Sequence, residues 1–301
     1  MPYLLALTSA FVYGAADFLG GLTTRRADTF SVVIVSQLAG LILLAVTVPF
    51  IPVVAVTRAD IFWGVLAGFC GSTGVALLYR GLAVGTMAIV APTTAVCAVL
   101  LPVGVSVVMG ERLSTLVIAG IVLALIGIVL VGQEKWGRES SQESRTGIRD
   151  QGSGIPDPRS PIPRFPPGLG LALLSGIAIG GFYLSLARAS ADAGMWPLLG
   201  ARGGSVVLFV AAAMLTGRTV RMPLAVTGMA IACGVVDMLA NALYLAATWS
   251  GSLSVVVTLS SLYPASTVLL ASLFLRERLN RVQIAGVVCA LVAVVLIVGG
   301  R

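Results

Sequence analysis

Three charged residues interrupt long apolar stretches of the sequence. Asp17 and Asp237 stand in two of these stretches, and Arg202 stands in a third, a few residues after Trp196-Pro197. If the stretches cross a membrane, a charge in mid-span costs about 2.5 to 3.5 kcal/mol on insertion scales and tends to face a cavity or a partner. We therefore expect these residues to form an internal ion pair or a polar site.

Polar side chains accompany both aspartates at helical spacing. Tyr13 precedes Asp17 by one turn and would share its face. The positions i+4, i+7 and i+11 after Asp237 are also polar, and they hold Asn241, Tyr244 and Thr248. This spacing predicts a polar stripe on an otherwise apolar helix.

Two interpretations of these charges are open. Arg202 could pair with one of the aspartates and do no more than satisfy two buried charges. Alternatively, a carboxylate in a central cavity takes up protons or contacts a cationic group, while Arg202 or tyrosines hold the rest of a substrate. The tyrosines that could line such a cavity are Tyr79, Tyr183, Tyr244 and Tyr263. They could equally pack in the interior or anchor span ends at the membrane interface.

The composition excludes an ordinary soluble fold. Of 301 residues, 58% are hydrophobic and 10% are charged, and the mean hydropathy is +1.04. A soluble domain carries about 25% charged residues. At about 20 apolar residues per crossing, the length suits about ten helices. The predicted fold class is an all-α polytopic membrane protein.

Ten apolar runs are bounded by charge, proline or glycine, and each predicts a transmembrane helix. The first is expected to be a span and not a cleaved signal peptide, because no basic segment precedes it. The runs are Pro2–Leu22, Phe30–Ile51, Ile61–Tyr79, Met87–Met109, Leu116–Gly132, Gly168–Ala187, Trp196–Leu215, Leu224–Thr248, Leu253–Leu275 and Val282–Gly300.

A polar segment divides the ten runs into two groups of five. Residues 133–167 hold 11 of the 31 charged residues and six of the 14 prolines, which predicts a flexible linker between repeats at 1–132 and 168–301. A shift of 166 residues aligns Glu111–Val131 with Glu277–Ile297, and 11 of 21 positions are identical. Because five is odd, the second repeat is inverted, and a site is expected near the midplane between the halves.

Several other function classes lack support in the sequence. Because histidine is absent, His-ligated metal sites and Ser-His-Asp nucleophiles are excluded. We find no enzyme, cofactor or phosphate-loop motif, so we expect neither catalysis nor a cofactor nor ATP-driven transport. Basic residues stand singly between apolar runs, which argues against nucleic-acid binding. The four cysteines predict apolar packing, and they are Cys70, Cys97, Cys233 and Cys289.

Short motifs recur in the same order in both halves. The first half has Leu78-Tyr79-Arg80-Gly81-Leu82-Ala83, Ala91-Pro92 and Gly110-Glu111-Arg112-Leu113; the second has Leu243-Tyr244-Leu245-Ala246, Tyr263-Pro264 and Glu277-Arg278-Leu279. With these motifs the chain resembles the EamA-type members of the drug/metabolite transporter superfamily. The resemblance implies a secondary transporter that moves small organic metabolites or drugs, often outward, across the cell membrane, and it does not specify the substrate.

We therefore expect a multi-pass carrier of the cell membrane that works by alternating access, with proton coupling as the default hypothesis. A non-transporting scaffold or a passive channel is the alternative, but it leaves the inverted repeat and the polar stripe unexplained. The expected partners are a small-molecule substrate and the lipid bilayer. The candidate substrate-binding residues are Tyr13, Asp17, Tyr183, Arg202, Asp237, Asn241, Tyr244 and Tyr263.

Local features add four expectations. Pro92 and Pro264 can interrupt helices 4 and 9 around a binding site, or can cause benign kinks. Small residues at four-residue spacing predict close helix packing and only weakly indicate a homodimer; they are Gly64, Gly68 and Ser72, and Gly176 and Gly180. Glu111 and Glu277 are expected to cap or anchor the turns into helices 5 and 10. The Lys and Arg distribution predicts termini outside, whereas the resemblance implies termini in the cytoplasm.

Overall fold

The computed structural model describes residues 1–24, 26–84, 87–132, 168–217, 222–274 and 280–300. The predicted linker at 133–167 and the motif at 277–279 lie outside the described residues, as do the side chains of Tyr79 and Pro92. All regular secondary structure within the described ranges is helical.

Eleven α-helices are found in those ranges. Before the linker lie α1 (Pro2–Thr24), α2 (Thr29–Thr47), α3 (Arg58–Val84), α4 (Met87–Val108) and α5 (Thr115–Val131). After it lie α6 (Leu169–Leu186), α7 (Trp196–Thr216), α8 (Leu224–Thr248), α9 (Leu253–Ser260), α10 (Tyr263–Phe274) and α11 (Arg281–Gly299). Eight described segments, with α9 and α10 counted as one, are long and apolar enough to span a membrane, and α4 and α5 contribute two shorter apolar helices. These ten segments match the ten predicted runs.

Side chains cap several of the helices where the polypeptide leaves the apolar layer. Asp28 precedes α2 and accepts a hydrogen bond from the backbone N–H of Ser31, and Ser114 does the same for Val117 in α5. Asn280 and Gln283 form a reciprocal capping box at the start of α11. The caps satisfy backbone donors that the first turn of a helix leaves free.

The ninth predicted run is not one continuous helix. It consists of α9 and α10, which are separated at Ser261 and Leu262, immediately before Tyr263-Pro264. Pro264 lies in the first turn of α10, where its missing N–H costs no hydrogen bond. The helix α4 continues through Pro92, so the interruption occurs in the second repeat and not at the corresponding point of the first.

The two repeats pack mainly against each other. The 166-residue shift relates α1 to α6, α2 to α7, α3 to α8, α4 to the α9–α10 segment and α5 to α11. The helix pair α1–α8 has its counterpart in α6–α3, α2–α8 in α7–α3, and α1–α10 in α6–α4. The pair α5–α11 is its own counterpart. This correspondence is the one expected for two repeats related by a pseudo-two-fold axis.

Small residues permit the closest of these approaches. A Cβ atom at Gly64 or Gly68 would overlap the backbone of Pro197 or Ala201 in α7. Gly176 and its neighbour one turn later, Gly180, pack against α4 in the same way. The small-residue stripes are therefore packing surfaces inside the bundle.

Large apolar side chains cover much of the outer surface. Exposed examples are Ile42, Phe62 and Val295. An apolar exterior around a polar centre is the arrangement expected for a bundle that contacts lipid on its outside.

Replacing Gly64 by alanine should destabilise the bundle, because the added methyl group must displace the backbone of α7. The expected loss is about 2 kcal/mol, as for an overpacked core. The measurement is reversible unfolding in detergent micelles. Gly228→Ala is the matched control, since nothing lies within 4 Å of a Cβ at that position. Equal stability of the two variants would contradict this packing.

Candidate functional site

An ion pair between α7 and α8 lies in the interior of the bundle. Arg202 Nη2 donates to Asp237 Oδ2, and Arg202 Nη1 donates to the side-chain carbonyl of Gln37 in α2. The remaining guanidinium donor, Nε, lies 3.3 Å from the Sδ atom of Met238. The guanidinium group is thus engaged on all three nitrogens, and its side chain is only 10% exposed.

Asn241 completes the environment of Asp237. Its side-chain amide donates to the backbone carbonyl of Asp237 at 2.7 Å and to Asp237 Oδ2 at 3.3 Å. Oδ2 therefore accepts from both an arginine and an amide. The sequence left open whether Arg202 pairs with Asp17 or with Asp237, and the structure shows that it pairs with Asp237.

Glycines bring the three contributing helices together at this point. A Cβ at Gly40 of α2 would lie 3.4 Å from Arg202 Nε and from the carbonyl oxygen of Gly234. A Cβ at Gly234 would overlap the backbone of Ser36. The close approach of α2 and α8 is what allows Gln37 and Asp237 to contact the same guanidinium.

Asp17 has no such partner. None of the described residues forms a hydrogen bond or a salt bridge with its carboxylate, and the residue is exposed. It nevertheless lies within electrostatic reach of Asp237 in α8, Tyr263 in α10 and Tyr183 in α6. Contacts of the neighbouring backbone agree with this position: Thr267 of α10 donates to the carbonyl of Gly14 at 3.3 Å, and Cys233 of α8 approaches the carbonyl of Ala16. Asp17 therefore lies at a level of α1 where α8 and α10 are its neighbours.

The depth of Asp17 follows from the contacts of α1 with α8. Ser9 Oγ donates to the carbonyl of Ala240 at 2.8 Å, and Cys233 Sγ lies 3.4 Å from the carbonyl oxygen of Ala16. The two helices are therefore antiparallel, and Asp17 lies about 7 Å from the level of Asp237 along the helix axis. The displacement is toward the end of α1 that is remote from its first residue.

Two of the four candidate tyrosines are packed together. The rings of Tyr183 and Tyr244 are 5.0 Å apart, and the hydroxyl of Tyr244 donates to the backbone carbonyl of Tyr183 at 2.9 Å. Tyr244 is fully buried. The prediction that Tyr244 lines a cavity is therefore corrected: its hydroxyl is occupied, and the residue joins α8 to α6.

The other two candidate tyrosines, Tyr13 of α1 and Tyr263 of α10, also contact each other. The rings of Tyr13 and Tyr263 are 6.1 Å apart. Among the described residues, Tyr13 Oη is buried and has no hydrogen-bond partner. Ser261, at the α9–α10 break, lies within hydrogen-bonding reach of the Tyr183 phenol. An unsatisfied buried hydroxyl costs about 1 to 3 kcal/mol, so the Tyr13 hydroxyl would gain from a hydrogen bond to a bound molecule.

Sequence reasoning missed Gln37, Met238 and Ser261. Gln37 carried a signal, since it is the only amide within the apolar sequence of α2. Met238 and Ser261 carried none, because methionine and serine are ordinary residues in membrane helices.

Glu111 binds a different helix from the one expected. Its carboxylate accepts hydrogen bonds from Ser252 Oγ and from the N–H and Oγ of Ser254, at the first turn of α9. Ser114 caps α5 instead. Glu111 therefore links the α4–α5 turn of the first repeat to the second repeat.

Comparison with known proteins identifies the family. The model of the EamA-like transporter family matches residues 1–133 and 166–299. The chain belongs to the EamA-like transporter family. One solved structure, described only as "Crystal structure of protein", has a TM-score of 0.73 over 98% of this chain and 95% of its own length, with 17% sequence identity. That likeness concerns the fold. A search of the curated proteins finds no match.

Membership of the EamA-like family confirms two predictions. The fold class is an all-α polytopic membrane protein of ten transmembrane helices in two inverted five-helix repeats. The general function is membrane transport within the drug/metabolite transporter superfamily, which implies a small-molecule substrate and a lipid bilayer. Family members are transporters and not enzymes, in agreement with the expected lack of catalysis.

A double-mutant cycle should detect the Arg202–Asp237 pair. Asp237→Asn leaves a buried guanidinium without its counterion. The stability losses of the Arg202→Gln and Asp237→Asn single variants should therefore sum to more than the loss in the double variant. We expect a coupling free energy of about 1 to 3 kcal/mol from unfolding in micelles. The control cycle pairs Arg202→Gln with Asp192→Asn, whose carboxylate is exposed. Additive effects in both cycles would contradict the pair.

Proposed function

We propose that this EamA-like protein is a secondary carrier that exports a small organic metabolite or drug by alternating access, with the space around Asp17 as its substrate site. The observation that carries the proposal is an unpaired carboxylate held between four helices of both repeats. The correspondence of inter-repeat contacts supports it, because two related halves can exchange which end of the site is open.

Contacts between repeats at one end of the bundle support a closed gate there. Besides the Glu111 contacts with Ser252 and Ser254, the backbone N–H of Ser190 donates to Asp60 Oδ1 at 2.7 Å. Ser114 donates to the carbonyl of Gly300. All these residues lie at the same end of the bundle as the first residue of α1, and we call this end the first end.

At the opposite end, which we call the second end, one of these contacts has no equivalent. The residue that aligns with Glu111 is Glu277, which lies outside the described residues. The 166-residue shift relates Asp60 to Val226 and Ser190 to Thr24, so the carboxylate of this contact has no counterpart. Asp17 lies toward this second end. The lack of an equivalent of the Asp60–Ser190 contact supports a carrier whose resting state is closed at the first end and whose site opens at the second.

Proton coupling is assigned to Asp17 in this proposal. The charged or titratable groups around it are Asp237 and Cys233 of α8, Tyr263 of α10 and Tyr183 of α6. Asp237 is already neutralised by Arg202. A carboxylate without a counterion inside a membrane span is costly, and a proton or a bound cation would neutralise it.

Exchange-stimulated uptake tests the carrier directly. Proteoliposomes are loaded with unlabelled compound and given the labelled form outside, using choline, threonine, uridine and glucose to represent four chemical classes. A carrier gives uptake that at least one internal compound accelerates about tenfold. Uptake indifferent to internal compound would indicate a channel, and no uptake of any probe would favour a scaffold.

Asp17→Asn should abolish the acceleration of this uptake by an imposed pH gradient, because the variant cannot bind a proton at position 17. Asp192→Asn is the control and should keep the wild-type response. A full response to the pH gradient in Asp17→Asn would contradict the assignment of proton coupling to this residue.

Cross-linking the first end should stop exchange. Glu111→Cys and Ser252→Cys, introduced after the four native cysteines are replaced by serine, can be joined by a short bifunctional maleimide. The Asp28→Cys and Ser31→Cys pair lies within one repeat and is the control. Loss of exchange is expected for the first pair alone, and unchanged exchange in the cross-linked protein would contradict a gate at Glu111.

A further inference from the structure

We propose that the substrate is an organic cation whose ammonium group binds the carboxylate of Asp17 among the rings of Tyr13, Tyr183 and Tyr263. This inference rests on the proposed function and names the substrate class of the same site. It concerns the ligand that fills the space between α1, α6, α8 and α10.

The balance of charge selects a cation. The charged side chains in the middle of the described spans are Asp17, Asp237 and Arg202, and Asp17 is the one that has no opposite charge beside it. Because Asp237 and Gln37 occupy both terminal nitrogens of the guanidinium, an anionic substrate would have to break the ion pair. An ammonium group at Asp17 needs no such rearrangement and neutralises the remaining charge.

The aromatic residues favour an organic ammonium over a metal ion. The ring of Tyr263 lies 6.1 Å from that of Tyr13, which is one turn before Asp17 in α1. Thr267, one turn after Tyr263, donates to the carbonyl of Gly14, so this face of α10 packs on α1 beside Asp17, and Tyr183 also lies within electrostatic reach of Asp17. The negative face of an aromatic ring attracts an ammonium group within about 6 Å of its centre. A metal ion would require several oxygen ligands, and the described residues contain no group of three metal-binding side chains.

One unpaired hydroxyl indicates where the rest of the ligand would lie. Among the described residues, Tyr13 Oη is buried and has no hydrogen-bond partner. Ser261, which is only 4% exposed, lies within hydrogen-bonding reach of the Tyr183 phenol. The Tyr13 hydroxyl can donate to or accept from a polar group on the ligand. The substrate class is therefore a small amine or quaternary ammonium compound with a hydrogen-bonding substituent.

The experiment compares cations with neutral molecules of the same shape. Binding to the purified full-length protein is measured calorimetrically for choline and for benzyltrimethylammonium, each against the isostere in which carbon replaces the charged nitrogen. We expect the wild-type protein to bind at least one cation about tenfold or more tightly than its isostere, the discrimination typical of a desolvated cation beside a carboxylate and aromatic rings.

Variants identify the group responsible. Asp17→Asn should reduce the preference to about twofold or less, whereas Asp17→Glu should keep it and Asp192→Asn should leave it unchanged. Far-ultraviolet circular dichroism and unfolding of Asp17→Asn verify that the variant folds. A wild-type protein that prefers neither cation, or an Asp17→Asn variant that keeps the preference, would overturn the inference.

The outcome is separable from that of the proposed function. Exchange-stimulated uptake of threonine, uridine or glucose, unaffected by Asp17→Asn, would keep the carrier and reject the organic cation. Tight cation binding without exchange of choline or any other probe would keep the cation site and reject the carrier.

Discussion

The ion pair between Arg202 and Asp237 determines what the rest of the interior can do. A buried guanidinium is tolerated in a membrane protein only when its charge and donors are satisfied. Here Asp237, Gln37 and Met238 supply the partners from two helices, and Asn241 supports the carboxylate. Because Arg202 and Asp237 neutralise each other, Asp17 is the charged residue of the described spans that is left without a partner.

Glycines make this ion pair possible, because they let the helices that carry its residues approach closely. Gly40 and Gly234 let α2 and α8 approach until their side chains reach the same arginine. Gly64 and Gly68 likewise let α3 approach α7, and α7 is the helix that carries Arg202. The polar centre therefore depends on the apolar packing. Without the close helix contacts, the arginine would lack its partners and would be too costly to bury.

Much of the fold could be predicted from the sequence, because hydropathy alone determines which segments enter a membrane. The ten predicted runs correspond to the described spans, and the family match confirms the fold class. The break at Ser261 was harder to predict, since Pro264 marks the region but Pro92 does not interrupt α4. The partner of Glu111 could not be predicted, because Ser252 and Ser254 reach it only through packing between repeats.

The candidate site was predicted as a set of residue types and not as an arrangement. Asp17, Asp237 and Arg202 were identifiable because charge is rare in apolar helices. The choice of aspartate depends on the relative rotation and depth of three helices. The hydrophobic periodicity of the sequence does not predict either of these quantities. The division of the tyrosines into a packing residue, Tyr244, and residues beside Asp17 has the same origin.

The central claim is that a cation binds at Asp17 while the Arg202–Asp237 pair stays intact. A cryo-electron microscopy structure of the full-length protein with benzyltrimethylammonium tests it most directly. The account predicts ligand density between Asp17 and the rings of Tyr13 and Tyr263, with the ion pair unbroken. Density against Arg202 with the pair separated, or a site elsewhere in the bundle, would contradict it.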